Sequence, residues 1–586
     1  MKLMRNYKAV LILTLVLFSF QSEVFSQSKP DVKYFIYFKD KGEFKPGIKI
    51  KKGTKAYNAG VSLLTDKAIK RRLKVLSEDD LIDFGDLPLN EIYVSKIKTM
   101  KIDIIARTRW FNAVTAYLTN EQVESLKKMD FVSDVKTTKK QLKQNSFTSE
   151  INFAKDTIIS KHRLNYGGSL KQLEMVNVPV LHDMYITGKG ILLADLDDGF
   201  NVREHESLRD HNLIGEYDFV NKDPNTFNEL NQKYPDSRSQ SAHGTATLSL
   251  AVARKDGKMY GPSFDADIII AKTEYVSSET PMEEDDFLEA CEWVESQGAD
   301  ILTSSLIYKE FDSPYKSNSY AYQDYNGRIA VTSIAATRCA HLGIVVCQAI
   351  GNYYQTKIPS LGSAGDADSI ITVGAVSPNK TIVGFSSNGP TSDGRIKPDV
   401  VAQGTDDIVA LVKDQSGNDS SYQYGSGTSY STPIVAGLCG LILSAHPELT
   451  PMQVRDAVRN TASRNSHPDN VYGWGIPNAY DAALYFGPVF SNEPQITTDS
   501  LSVYIGSKDP LDITSVKLHY MFDLGEEYKS IEFEFKDAID LSTSSGRYSA
   551  PLKGTSLSHS SFVYYFEVKG KDDKIYNSPV GYVDYK

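Results

Sequence analysis

Gly190-Ile191-Leu192-Leu193-Ala194-Asp195-Leu196-Asp197-Asp198-Gly199 opens on an apolar run and ends in carboxylates and a glycine. An apolar run this short, bounded by glycine, reads as a strand buried on both faces, the kind found in parallel sheets. Asp197 then falls at the C-terminal end of that strand, where open parallel sheets place their ligands. Gly343-Ile344-Val345-Val346-Cys347 has the same character and leads into Ala349-Ile350-Gly351-Asn352. His243-Gly244-Thr245 starts a stretch, Ala246 to Ala253, with helical apolar spacing, and Gly244 allows another backbone to come close. Gly427-Thr428-Ser429-Tyr430-Ser431-Thr432-Pro433 precedes Ile434 to Leu443, which is apolar all round and reads as a buried helix. Pro433 suits the first turn of that helix, where its missing N–H costs nothing, and Ser429 falls at the helix N-terminus.

These segments carry, in chain order, a carboxylate, an imidazole, a side-chain amide and a hydroxyl. A serine hydroxyl is a poor nucleophile at neutral pH and needs a base within hydrogen-bond reach, a task suited to His243 because imidazole titrates near neutrality. Asp197 would fix the imidazole tautomer and stabilise the imidazolium formed when His243 takes the Ser429 proton. Asn352 and the Ser429 backbone N–H would donate to the oxyanion that develops on a substrate carbonyl. The four segments in this order, with Phe385-Ser386-Ser387-Asn388-Gly389-Pro390 and Lys397-Pro398-Asp399-Val400 between Asn352 and Ser429, resemble the subtilases, the subtilisin-like serine peptidases.

That resemblance implies an α/β fold, a subtilisin-like doubly wound parallel sheet with helices on both faces, over residues 166–487. It implies a serine endopeptidase that hydrolyses peptide bonds through an acyl-enzyme on Ser429, with no cofactor required for chemistry. Ser305, Leu306 and Ile307, with Ala349, Ile350 and Gly351, would bind the substrate. The family often holds structural calcium, yet no ligand spacing such as an EF-hand loop assigns a site. The remaining histidines, among them His205, His211 and His341, read as surface or locally bonded residues. A chain that kept this scaffold but lost turnover is the alternative, and it rests on two departures from the family pattern. Asp195 stands where the family has an apolar residue and, by strand alternation, faces the same side as Asp197, so it is expected to meet a cation or a hydrogen-bonded network. Ile307 stands where glycine is usual, and with Ile350 in place of alanine it should narrow the pocket near the scissile bond.

At 586 residues the chain exceeds a single core, and 41% apolar residues supply several domains. A net charge of −10 provides no basic surface for nucleic acid. Lys2, Arg5 and Lys8 precede an apolar stretch from Ala9 to Phe20, the pattern of a signal peptide cleaved after Ser26. The expected location is therefore secreted, periplasmic or cell-surface, as a monomer, and no later stretch reads as long and apolar enough for a transmembrane segment. Cys291, Cys339, Cys347 and Cys439 lie in the catalytic region, and Cys347 and Cys439 fall in buried elements, so they read as free thiols.

Residues 27–145 show strands at Tyr34–Phe38 and Trp110–Leu118. A Thr119/Gln122 capping box then opens a helix from Asn120 to Met129, and a strand follows at Phe131–Val135. This β-α-β ending resembles the subtilase prodomain, an α+β unit that assists folding and acts as an intramolecular inhibitor. Lys136 to Asn145 is polar and cationic, the expected processing linker, and 146–165 continues it. Beyond Gly487 the period changes to two, in Leu501–Ile505, Ile531–Phe535 and Phe562–Val568, which reads as a small C-terminal β-sandwich over 488–586. Protein or peptide substrates and the chain's own prodomain are the expected partners.

Overall fold

The computed structural model describes residues 32–137, 147–150, 161–237, 239–277, 280, 282–309, 319–413, 419–508, 513–523, 525–539, 545–552, 557 and 561–584. The expected signal sequence at 1–26 and residues 138–145 of the expected linker lie outside the described residues. The N-terminal unit contains β1 (Val32–Phe38), α1 (Lys55–Val61), α2 (Asp66–Arg72), α3 (Glu91–Thr99), β2 (Ile104–Thr108), β3 (Ala113–Leu118), α4 (Asn120–Lys127) and β4 (Val132–Thr137). Its four strands form an antiparallel sheet in the order β2-β3-β1-β4. The expected capping box forms, with the Gln122 N–H donating to Thr119 Oγ1 at 3.2 Å and the Thr119 N–H to Gln122 Oε1 at 2.9 Å. Lys136 and Thr137, assigned to the linker from sequence, instead complete β4, because that strand pairs with β1 as far as Tyr34↔Thr137.

Seven parallel strands follow: β5 (Leu192–Asp197), β6 (Leu213–Asp218), β7 (Asp267–Lys272), β8 (Ile301–Ser304), β9 (Val345–Ala349), β10 (Ile371–Val376) and β11 (Val400–Gln403). Their order is β11-β10-β9-β8-β5-β7-β6. From β5 the chain moves out to one edge, returns, and crosses to the other side at β8, so the switch point lies between the C-terminal ends of β5 and β8. Strand alternation splits the core. Leu193, Ile268, Ile270, Ile301, Val345 and Val373 pack against α5 (Ala242–Val252) and α8 (Thr428–Ala445). Leu192, Ala194, Leu196, Ile269, Leu302 and Val346 face α6 (Met282–Gln297) and α7 (Val331–His341). Asp195 and Asp197 share the α5/α8 face with Leu193.

The helix α8 starts at Thr428, so Pro433 lies inside it rather than in its first turn. Proline has no N–H for the carbonyl four residues back, which is that of Ser429, and the Ser305 hydroxyl donates to this carbonyl at 2.9 Å. By length and composition α8 could cross a membrane, contrary to the expectation that no later stretch could. It is wholly buried against the sheet.

The N-terminal sheet lays one face on its own helices and the other, through Phe35, Trp110 and Ala113, on the core beneath α6 and α7. Helix α6 meets it with carboxylates, three of them paired as buried charge requires. Asp285 takes Lys33 Nζ at 2.7 Å and the Thr115 hydroxyl at 2.6 Å. Glu292 accepts the Trp110 N–H at 3.1 Å. Glu295 holds Arg71 and Arg72 of α2. At the other end of the chain, strands Ser500–Gly506, Ile513–Met521, Lys529–Ala538, Ser545–Pro551 and Phe562–Gly570 belong to one antiparallel nine-stranded sheet closing on Val503, Leu518, Phe533 and Phe566. The C-terminal part is β-rich, as its period-two pattern indicates.

Candidate active site

Asp197 ends β5 and is fully buried; its Oδ1 lies 2.7 Å from His243 Nδ1. His243 sits in the first turn of α5 with a fifth of its side chain exposed. Two features dock that turn on the strand end. Asp198 Oδ1 accepts the Gly244 N–H at 2.8 Å, a cap supplied from outside the helix. A Cβ on Gly244 would stand 2.9 Å from Asp197 Cβ, so only glycine lets the helix come this close. Thr247, one turn on, places its hydroxyl 3.3 Å from Asp197 Oδ2. Sequence reasoning gave neither Asp198 nor Thr247 a role. The Asp-Asp doublet and the i, i+4 spacing from His243 are the signals that could have found them.

Ser429 is the second residue of α8 and is nearly buried, with its hydroxyl donating to the Ser305 carbonyl at 3.3 Å. Ser305 follows β8, so the switch point of the sheet joins Asp197 and Ser429 in one site. Tyr430 is buried with its ring centroid 5.9 Å from that of His243. Asn352 Oδ1 accepts both the Thr428 N–H at 2.9 Å and the Thr428 hydroxyl at 3.0 Å. The oxygen end is thus held by α8's first turn, one residue before Ser429, and the amide NH₂ is the end that turn leaves unengaged. That NH₂ and the Ser429 backbone N–H can stabilise negative charge on a bound carbonyl oxygen.

Around this centre Leu306 is buried, and its carbonyl accepts from the Gln348 amide. Ile307 is half-buried, and a Cβ on Gly362 would collide with its Cγ2, so Ile307 occupies the space above Gly362. Ala349 and Ile350 are buried at the end of β9, and the Ile350 N–H donates to the Val373 carbonyl at 3.0 Å. Gly351, at φ 112°, carries the chain from that buried segment to Asn352.

His205 is buried and locally bonded, its Nδ1 lying 2.9 Å from the Ser207 hydroxyl and its Nε2 2.7 Å from the Ser421 carbonyl. All four cysteines are free and buried. Among the described residues no group of three or more His, Cys, Asp or Glu side chains could hold a metal ion. Among the described residues Asp195 meets no cation; its side-chain partner is Thr247. A cavity of about 900 Å³, lined among others by His162, Glu174, Asn460, Tyr480 and Lys508, contains none of the residues named above for the active site.

The Subtilase family (Peptidase S8) profile matches residues 188–475, and the Peptidase S8 propeptide domain of Bacteroidota matches residues 33–154. Serine protease AprX of Bacillus subtilis (strain 168) is 29% identical over 311 residues, 50% of this chain and 66% of AprX. Subtilisin amylosacchariticus of Bacillus subtilis subsp. amylosacchariticus is 28% identical over 312 residues, 53% of this chain and 70% of that protein. Subtilisin of Bacillus pumilus is 28% identical over 312 residues, 53% of this chain and 97% of that protein. The chain thus belongs to the subtilase family of serine peptidases and carries that family's propeptide domain ahead of the peptidase domain.

Proposed function

We propose that the protein is an exported serine endopeptidase that cleaves peptide bonds in protein substrates through an acyl-enzyme on Ser429. The observation that carries this reading is the 2.7 Å contact between His243 and Asp197 at the sheet's switch point, in the same site as Ser429 and the amide of Asn352. In the resting arrangement the Ser429 hydroxyl donates to Ser305. A substrate carbonyl entering beside it would draw the hydroxyl toward His243, since catalytic hydrogen bonds tighten on binding. His243 takes the proton, Asp197 stabilises the imidazolium, and Asn352 with the Ser429 N–H receives the oxyanion. His243 then protonates the leaving amine, and water releases the acyl group by the same steps in reverse order. Ser305 to Ile307 and Ala349 to Gly351 line the substrate's path. No step requires a cofactor, and calcium, if bound, would serve stability.

In the same reading residues 1–26 direct export and are removed, 27–145 form the inhibitory prodomain, 146–165 link it to a peptidase domain at 166–487, and 488–586 fold as a β-sandwich. The mature enzyme acts as a monomer. Hydrolysis of a denatured protein by the purified, processed chain tests the proposal. Activity that disappears in both Ser429→Ala and His243→Ala supports it, and activity that survives either substitution contradicts it.

A further inference from the structure

Strand β5 sends two carboxylates to one face, and only Asp197 holds His243. Asp195 is fully buried, with no Lys, Arg or His among the described residues paired to it, and its Oδ1 meets no donor. Its cross-strand neighbour Thr303 is equally buried, and that hydroxyl also lacks a partner. Beyond the backbone N–H of Leu196, the contact Asp195 makes is with Thr247. Thr247 Oγ1 lies 3.1 Å from Asp195 Oδ2, 3.3 Å from Asp197 Oδ2 and 3.0 Å from the Gly244 carbonyl.

A hydroxyl has one proton to give. With both carboxylates ionised, three acceptor oxygens would surround that proton, and two of the three contacts would set lone pair against lone pair in a dry interior. One further proton removes one of those two clashes. Carried on Asp195 Oδ2, it is donated to Thr247 Oγ1, and the threonine proton is left to choose between Asp197 Oδ2 and the Gly244 carbonyl, of which the carboxylate is the stronger acceptor. Burial first, then the charges of Asp197 and Asp198, push the Asp195 carboxyl well above the ordinary carboxylate range.

We propose that Asp195 is a positioning residue of the catalytic site, a neutral acid that orients the Thr247 hydroxyl and through it fixes Asp197 with Oδ1 on His243 and Oδ2 on Thr247. The inference rests on the serine-peptidase reading of the site. It divides two neighbouring carboxyls into one acid and one anion, and it keeps the anion where the imidazolium forms. A hydrogen bond received by Asp197 Oδ2 also opposes rotation of its carboxylate, so His243 meets the same oxygen in each turnover.

The test compares Asp195→Val, Asp195→Asn and Thr247→Val for kcat, KM, the pH profile of kcat/KM and melting temperature. Asp195→Val is expected to lower kcat by about 3- to 10-fold at unchanged KM, the worth of one hydrogen bond, while the melting temperature holds or rises because an incompletely bonded buried carboxyl has been removed. Asp195→Asn, whose amide NH₂ donates to Thr247 as the acid does, recovers most of the kcat that valine loses and leaves the acid limb of kcat/KM in place. Combining Asp195→Val with Thr247→Val costs no more than the worse single change, since both break one chain. An acid limb moved to lower pH in Asp195→Asn would show that wild-type Asp195 is an anion, whose loss makes the imidazolium harder to form, and would overturn the proposal. So would an unchanged kcat in Asp195→Val, or kcat and melting temperature falling together in both Asp195 variants. Infrared spectra of Ser429→Ala protein need no turnover: a protonated-carboxyl C=O stretch that disappears in Asp195→Asn supports the neutral acid even if the peptidase reading fails, and its absence overturns the proposal even if that reading stands.

Discussion

Replacing Glu295 with alanine in the full chain removes the anion shared by two buried arginines of the propeptide domain. Glu295 Oε1 accepts from Arg71 Nη2 and, at 2.7 Å, from Arg72 Nε, and its Oε2 accepts from Arg72 Nη2 at 2.7 Å. All three side chains are 0–1% exposed, so water cannot take over. Breaking a buried pair from one side costs about 3–5 kcal/mol. Here Arg72 keeps Asp86 at 2.9 Å, and Arg71 keeps the carbonyls of Glu295, Ala299 and Leu342 at 3.0, 2.9 and 3.1 Å, which favours the lower end. A loss of about 3 kcal/mol is a factor of about 10² in the equilibrium for lifting α2 off the peptidase domain, at 1.4 kcal/mol per decade. Hydrogen exchange in the Ser429→Ala background reads this directly: α2 amides should exchange about 10²-fold faster, while α4, held by the propeptide's own core, should not change. Equal exchange of α2 in both chains would refute the reasoning. The pH dependence has a fixed sign. Burial acts to raise the Glu295 carboxyl, but Arg71 and Arg72 outweigh it and hold it below the ordinary value. The stabilisation is therefore present above the ordinary glutamate pKa and fades as pH falls through the lowered one, so the two chains should converge in acid.

Asn352→Ala should lower kcat by about 10²–10³-fold with KM little changed, because the donor acts on the oxyanion and not on the ground state; steady-state kinetics in which only KM moves would contradict this. Burial pushes the Glu284 carboxyl from 4.5 up to about 8, against Lys33 and the Tyr320 hydroxyl. The folded chain then binds a proton that the unfolded chain releases, so this group's contribution to stability declines as pH rises from about 4.5 towards 8. Glu284→Gln should flatten the melting-temperature profile across that window, and parallel curves for the two proteins would show the group to be silent. Ile307→Gly should admit larger residues before the scissile bond, and an unchanged cleavage profile on a peptide library would refute the narrowing assigned to Ile307.

The sheet and the triad segments were legible because their signals are local. Ile191 to Ala194 is buried at every position, which is what an unbroken apolar run means in a parallel strand. The serine's helix was legible for the same reason, but its start was misplaced. Pro433 ordinarily marks a first turn, and here the Ser305 hydroxyl, more than a hundred residues away, satisfies the carbonyl that proline leaves open. Asp195 was conspicuous as a departure from the family's apolar residue and, by alternation, as sharing the side of Asp197, and the choice between a cation and a network fell to Thr247, which no pattern on β5 announces. The α1–α2 segment was not read at all. Lys70-Arg71-Arg72 looks like a solvated charge run, and only the fold brings Glu295 to neutralise it in the interior. Helix α6 hid for the complementary reason, since Glu284, Asp285, Glu292 and Glu295 are buried beneath a second unit and give no apolar period.

The most direct measurement is reaction of the purified chain with a serine-directed fluorophosphonate, the modified residue located by mass spectrometry, with Ser429→Ala and its precursor processing followed in parallel. Modification at Ser429, lost in the variant, together with a variant that stays uncleaved, is the predicted result. A folded, processed wild-type protein that takes up no label, or that is labelled at another residue, would contradict the assignment of Ser429 as nucleophile.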